Sequence, residues 1–216
     1  MTEIEGDERV PEPTGEMDPG RVLALSDGVF AIAATLLVLD LRLPESFDAR
    51  ELPDKLHELL PAFGGYALSY VLIGLLWLGH HRQFRDFNQI SGRVARVNLL
   101  FLGSVSVLPF VTSLLRYDEP IAAQLYAGTV AVIFLLEAAM SRVAVHRGHH
   151  ADPDAGRILA IRALTTALIF IVSIPLATIP DHGPAIAKYT WLALIPARWV
   201  LHLVFGRRQR EREHAG

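Results

Sequence analysis

The stretch that decides the fold is RVLALSDGVFAIAATLLVLDL, residues 21–41. About twenty apolar residues wound at 1.5 Å each cross the roughly 30 Å hydrocarbon core of a bilayer, where only a helix or closed barrel satisfies its own backbone. The stretch reads as a membrane helix, yet it opens on Arg21 and carries Ser26 and Asp27 close inside. A carboxylate in lipid costs about 3 kcal/mol or more, so Asp27 must face protein or water. At 100° per residue, Gly28, Ile32, Thr35 and Leu39 fall on one narrow face with Leu36 beside them. Ser26, Asp27 and Phe30 point well away from it. Two faces predict two tasks.

The rest of the chain is built for the same solvent. It has 216 residues, 51% of them hydrophobic, and a mean hydropathy of +0.33. That is too apolar for an ordinary soluble domain and sufficient for several membrane helices. Six stretches are long and apolar enough to span: 22–41, 61–81, 97–115, 121–145, 158–179 and 185–205. Turn-forming clusters separate them, including Arg116-Tyr-Asp-Glu-Pro120 and Pro180-Asp-His-Gly-Pro184. Residues 1–20 are acidic and rich in proline and glycine, with no apolar periodicity, and predict a disordered tail rather than a secretion signal. Residues 207–216 form a basic tail. The absence of cysteine excludes disulfides, haem thioethers, iron–sulfur clusters and thiolate zinc sites.

Basic residues orient the bundle. Arg82, Arg85, Arg93 and Arg96 sit between the second and third stretches, Arg142, Arg147 and Arg157 between the fourth and fifth, and Arg207, Arg208, Arg210 and Arg212 at the end. The opposite connections hold only Arg42, Arg50, Lys55, Arg116 and Lys188. The positive-inside rule therefore puts both termini in the cytoplasm, as an even helix count requires. Partners for the Asp27 side lie near the same boundary. The second stretch ends Trp77-Leu-Gly-His80-His81 and the third begins at Asn98. A network of Arg21, Ser26, Asp27, Asn98 and either His80 or His81 would hold three helix ends together.

At these residues the chain resembles the transmembrane protein 175 family of potassium channels. Arg21-x-x-x-Leu25-Ser26-Asp27 is similar to the Arg-x-x-x-Phe-Ser-Asp motif that starts the family's first helix, with Leu25 in place of phenylalanine. Gly74-Leu-Leu-Trp77-Leu-Gly-His80-His81-Arg-Gln-Phe84, then Asn98-Leu-Leu-Phe-Leu and Leu108-Pro109-Phe110, resemble its next two helices. The resemblance covers residues 21–110. It implies an all-α membrane protein of six transmembrane helices per chain, residues 21–206. The pore would be lined by the first helix of each subunit in a homotetramer. It also implies a potassium-permeable cation channel in the plasma membrane, with no cofactor and with K+ as the permeant ion. No Thr-Val-Gly-Tyr-Gly filter is present. By the resemblance the hydrophobic constriction falls at Ile32, with further rings at Leu36 and Leu39 and a hydroxyl ring at Thr35. Such a gate works by excluding water and discriminates only modestly between potassium and sodium.

Other readings compete with these. A proton-coupled secondary transporter would use Asp27, Glu137 and the histidines near midplane, but it usually shows repeated halves, and none is evident. An enzyme would need a nucleophile with a base, or a metal constellation. The His146, His149, His150, Asp152, Asp154 loop is the nearest approach to a metal site and reads as solvated. His80 and His81 point about 100° apart, which argues against joint ligation. Glu137 is expected to pair with Arg162 or Arg198, and Pro175 and Pro196 to kink the last two helices.

Overall fold

The computed structural model of the chain describes residues 16–85, 87, 90–146 and 153–191. Order begins earlier than the composition suggested. Glu16–Met17 forms a two-residue strand, β1, antiparallel to β2 at Ile90–Ser91, with Glu16 opposite Ser91. Asp18 then caps helix α1, Pro19–Leu36, by accepting the Gly20 N–H at 2.9 Å, with Pro19 in the first turn. The structure from Glu16 onward therefore overlaps the last five residues of the expected 1–20 tail. A capping carboxylate, a proline at the helix start and a strand partner outweigh the disorder-prone composition.

α1 does not run as one α-helix to residue 41. It tightens into a 3-10 turn over Leu37–Asp40. A second 3-10 turn, Ala49–Glu51, and a short exposed helix, α2 at Leu52–Glu58, lead into α3, Leu60–Arg85. Helix α4, Gly92–Leu114, begins five residues before the expected start because Ser91 caps it, accepting the Val94 N–H. A 3-10 turn at Leu115–Tyr117 and a left-handed Asp118 end it. α5 spans Pro120–His146, α6 spans Pro153–Leu176, and α7 spans Gly183–Trp191. A Cβ at Gly183 would overlap the Ala177 carbonyl, so only glycine fits this close turn.

Among the described residues, five segments are long and apolar enough to cross a membrane: Pro19–Asp40, Leu60–Arg85, Gly92–Tyr117, Pro120–His146 and Pro153–Leu176. The sixth expected span, 185–205, falls on α7 as far as Trp191, and the remainder lies outside the described residues, as do Pro196 and Arg198. This is a multi-pass membrane protein. Leu99, Leu100, Phe110 and Leu168 are each 58% or more exposed, the pattern of a surface solvated by lipid rather than water.

The interior is closed by small residues and a few large ones. α5 presents Ala123, Ala127, Ala131 and Ala138, and α6 presents Gly156, Ala160, Ala163 and Ala167. These let the two backbones approach and make α5–α6 the most extensive helix pairing. Phe30, Phe84 and Phe101 fill the space between α1, α3 and α4.

Candidate functional site

α1 separates into two stripes. Ser26, Phe30, Ala33 and Leu37 are buried against the bundle, at 2% exposure or less. Their spacing of four, three and four residues is that of one helix face. The other stripe has the same spacing: Gly28, Ile32, Thr35 and Leu39 are exposed, with Ile32 at 61% and Leu39 at 51%. Leu36, at 42%, lies beside them. Because the last turn is 3-10, Leu39 is carried about 120° per residue rather than 100° beyond the α-helix, and it stays exposed. The Thr35 hydroxyl donates to the Ile32 carbonyl at 2.9 Å, so its oxygen lone pairs, not its proton, point outward.

The buried stripe meets a polar chain linking three helices. Ser26 on α1 donates to its own Val22 carbonyl at 2.9 Å and accepts from Asn98 Nδ2 on α4 at 3.2 Å. Asn98 Oδ1 lies 2.8 Å from His80 Nε2 on α3. His80 is fully buried, stacked on Phe84 and Phe101 with Phe30 at its edge, and its Nδ1 has no partner among the described residues. Nε2 therefore carries the proton that Asn98 accepts.

Asp27 stands apart from this chain. Its carboxylate accepts the Trp77 indole N–H at 2.8 Å and faces a cavity of about 410 Å³ between α1 and α3, lined also by Phe30, Ala34, Tyr70 and Ile73. His81 packs its ring against Trp77 at 5.6 Å and reaches neither Asn98 nor Ser26. Arg21 is exposed, with no bonded partner for its guanidinium among the described residues. At the far end of α1, Asp40 pairs with Arg116, which also donates to the Ser113 carbonyl.

Two further polar clusters were not anticipated. Ser69 on α3 lies between Thr112 on α4, at 2.8 Å, and Tyr126 on α5, at 3.1 Å, all of them buried. Gln83 donates to Ser141 at 2.7 Å and to the Glu137 carbonyl. The Glu137 carboxylate is buried against Gly79, where a Cβ would stand 3.0 Å from Oε1. No group of acidic or histidine side chains able to hold a metal occurs among the described residues, and 147–152 of the histidine loop lie outside them. What the assembled residues do is tie α1 to α3 and α4 while leaving one apolar face of α1 free.

Comparison with known proteins meets this geometry directly. The family profile described as endosomal/lysosomal potassium channel TMEM175 matches residues 21–109, the segment that carries α1, α3 and α4. A potassium channel of Streptomyces collinus is 34% identical over 184 residues, 77% of this chain and 88% of the relative. The crystal structure of a lysosomal potassium-selective channel TMEM175 homolog from Chamaesiphon minutus superposes with a TM-score of 0.61 at 29% identity. The match covers 82% of this chain and 97% of that one. The endosomal/lysosomal proton channel TMEM175 of Gallus gallus is 39% identical over 102 residues, only 20% of its length. These relatives are channels, not enzymes. With a third of the residues identical along nearly the whole Streptomyces relative, the chain belongs to the TMEM175 family.

Proposed function

We propose that four copies of the chain surround one axis with α1 innermost, forming a potassium-permeable cation channel. The observation that carries the reading is the free face of α1. Ile32, Thr35, Leu36 and Leu39 lie exposed on a helix whose opposite stripe is packed into its own subunit. A single chain with one such face cannot enclose a path, and closed fourfold symmetry supplies the missing walls. The bacterial relatives named as potassium channels support the same assignment.

The constriction lies at Ile32, extended by Leu36 and Leu39. Four apolar side chains at one level exclude water until the helices separate, so conduction is controlled by wetting. Thr35 contributes oxygen lone pairs to a passing cation, because its proton is held by the Ile32 carbonyl. Partial dehydration there favours K+ over Na+ modestly. The Ser26–Asn98–His80 chain holds the helix that carries the rings, and Asp27 with Trp77 fixes its rotation. The channel domain covers 21–206 in the plasma membrane, with both termini and the basic 207–216 tail in the cytoplasm.

The test is Ile32→Asn beside Leu168→Asn, a residue equally exposed but on α6. In liposomes under a potassium gradient, Ile32→Asn raises flux by wetting the constriction and narrows the difference between K+ and Na+, while Leu168→Asn leaves both unchanged. Equal flux from the two variants would mean that Ile32 faces lipid rather than the axis.

A further inference from the structure

The pairing of β1 with β2 holds Glu16, where an acidic stretch of sequence joins the fold, beside a group of exposed arginines. Arg82 and Arg85 end α3, Arg93 and Arg96 begin α4, and Arg21 lies in the first turn of α1. All five are exposed. None of them has a carboxylate partner among the described residues, whereas four other cations, Lys55, Arg116, Arg157 and Lys188, each do. Segment 1–15 holds Glu3, Glu5, Asp7, Glu8 and Glu12 against the single basic side chain Arg9. It joins the fold at Glu16, whose strand partner Ser91 lies two positions before Arg93.

Those positions put the two charge sets within reach of each other. A paired strand residue is about 5.5 Å across and two further residues add at most about 7 Å, so Arg93 starts within roughly 13 Å of Glu16. Four residues of chain give Glu12 a reach of about 13 Å, and eight give Glu8 about 26 Å. A tether this short holds the carboxylates at an effective concentration on the order of millimolar, so weak individual pairs add up.

We propose that segment 1–15 docks on the collar of Arg82, Arg85, Arg93 and Arg96 as its intramolecular counter-charge. The proposal rests on the strand register and the charges, and it stands whether or not the chain conducts. Anionic lipid is the rival occupant of any juxtamembrane basic cluster. The segment is favoured because it is covalently delivered to the site and carries a net side-chain charge of opposite sign.

The chain contains no cysteine, so Gly6→Cys provides a single site for a nitroxide label. The labelled full-length protein is placed in phosphatidylcholine nanodiscs, and the mobility of the label is read from its spectrum. Near 10 mM salt, where screening extends over about 30 Å, the wild-type background shows an immobilised fraction. That fraction falls several-fold at 1 M, where screening shortens to about 3 Å. Arg82→Gln, Arg85→Gln, Arg93→Gln and Arg96→Gln together abolish it at low salt. So do Glu3→Gln, Glu5→Gln, Asp7→Asn, Glu8→Gln and Glu12→Gln, which leave every helix untouched and so guard against a folding defect in the arginine variant. Equal mobility in all three proteins overturns the proposal. It is overturned equally if phosphatidylglycerol is retained by the wild type and lost from the arginine variant while label mobility stays constant, because the collar then belongs to lipid headgroups.

Discussion

Replacing Asn98 by leucine should weaken the protein more than its two hydrogen bonds alone would suggest. Asn98 is 1% exposed, and leucine keeps its branching and heavy-atom count with bulkier methyl groups, so no cavity is created and the main loss is polar. Ser26 suffers little, since it keeps its own donation to Val22. His80 suffers most. Its Nε2 loses Asn98 while Nδ1 already lacks a partner, leaving a fully buried imidazole with neither nitrogen bonded. An orphaned buried polar group costs about 1–3 kcal/mol. Taking about 2 kcal/mol, the folded-to-unfolded ratio falls roughly 30-fold at 1.4 kcal/mol per tenfold. His80→Phe alone strands the Asn98 carbonyl and should cost a similar amount.

The double variant should recover most of this. The His80 ring already lies 4.2 Å from Phe84, 5.3 Å from Phe101 and 5.5 Å from Phe30, a box that a phenylalanine can occupy. Removing both partners of a buried hydrogen bond together approaches neutrality, so Asn98→Leu with His80→Phe should lie within about 1 kcal/mol of the wild type. Interhelical hydrogen bonds in membranes couple by only about 0.6 kcal/mol on average and at most about 1.7. A larger coupling would therefore measure the stranded groups rather than the bond. Unfolding the four proteins in mixed dodecylmaltoside and dodecyl sulfate micelles, followed by circular dichroism, gives the cycle. A double variant as unstable as the sum of its singles would refute the reasoning.

Other outcomes follow from the same structure, each read by the same unfolding measurement. Trp77→Phe removes the donor to Asp27 and, at a half-exposed site, should cost about 1 kcal/mol, whereas Asp27→Asn keeps an acceptor for the indole and should cost less. Ser69→Ala leaves the buried Tyr126 hydroxyl unpaired and should cost about 1–2 kcal/mol, more than Tyr126→Phe, which leaves Ser69 bonded to Thr112. Gly183→Ala should cost about 1–3 kcal/mol by collision with the Ala177 carbonyl, while Gly103→Ala, where a Cβ meets nothing, should be neutral or gain up to about 1 kcal/mol in helix propensity.

The helices could be read from the chain because lipid makes one demand, about twenty apolar residues, and five stretches meet it within the described region. The two stripes of α1 were equally legible, since a helix of known period fixes which residues share a face. What escaped depends on how neighbouring helices are turned. Trp77 lies three residues before His80, and only the rotation of α3 against α1 decides that the indole, not an imidazole, reaches Asp27. Ser69, Thr112 and Tyr126 are scattered hydroxyls of the kind that usually bond back within their own helix, so no spacing could announce their junction. The early start of α1 was hidden because strand pairing with Ile90 and Ser91 is a contact between distant parts of the chain.

α1 is fastened at three levels to the same neighbours. The β1–β2 pairing holds the residues just before it to the entry of α4. Ser26 holds its lower half to Asn98. Asp40, at its last turn, is tied to Arg116 just beyond the end of α4. A rod clamped at both ends and near its middle cannot pivot alone without breaking a clamp. Any displacement of α1 that preserves these ties must carry α4 with it, so the unit of motion is a wedge of joined helices rather than a single lever. The wedge is in turn tied to α5 through Ser69–Tyr126 and Gln83–Ser141, so its movement against α5 and α6 must strain those buried bonds.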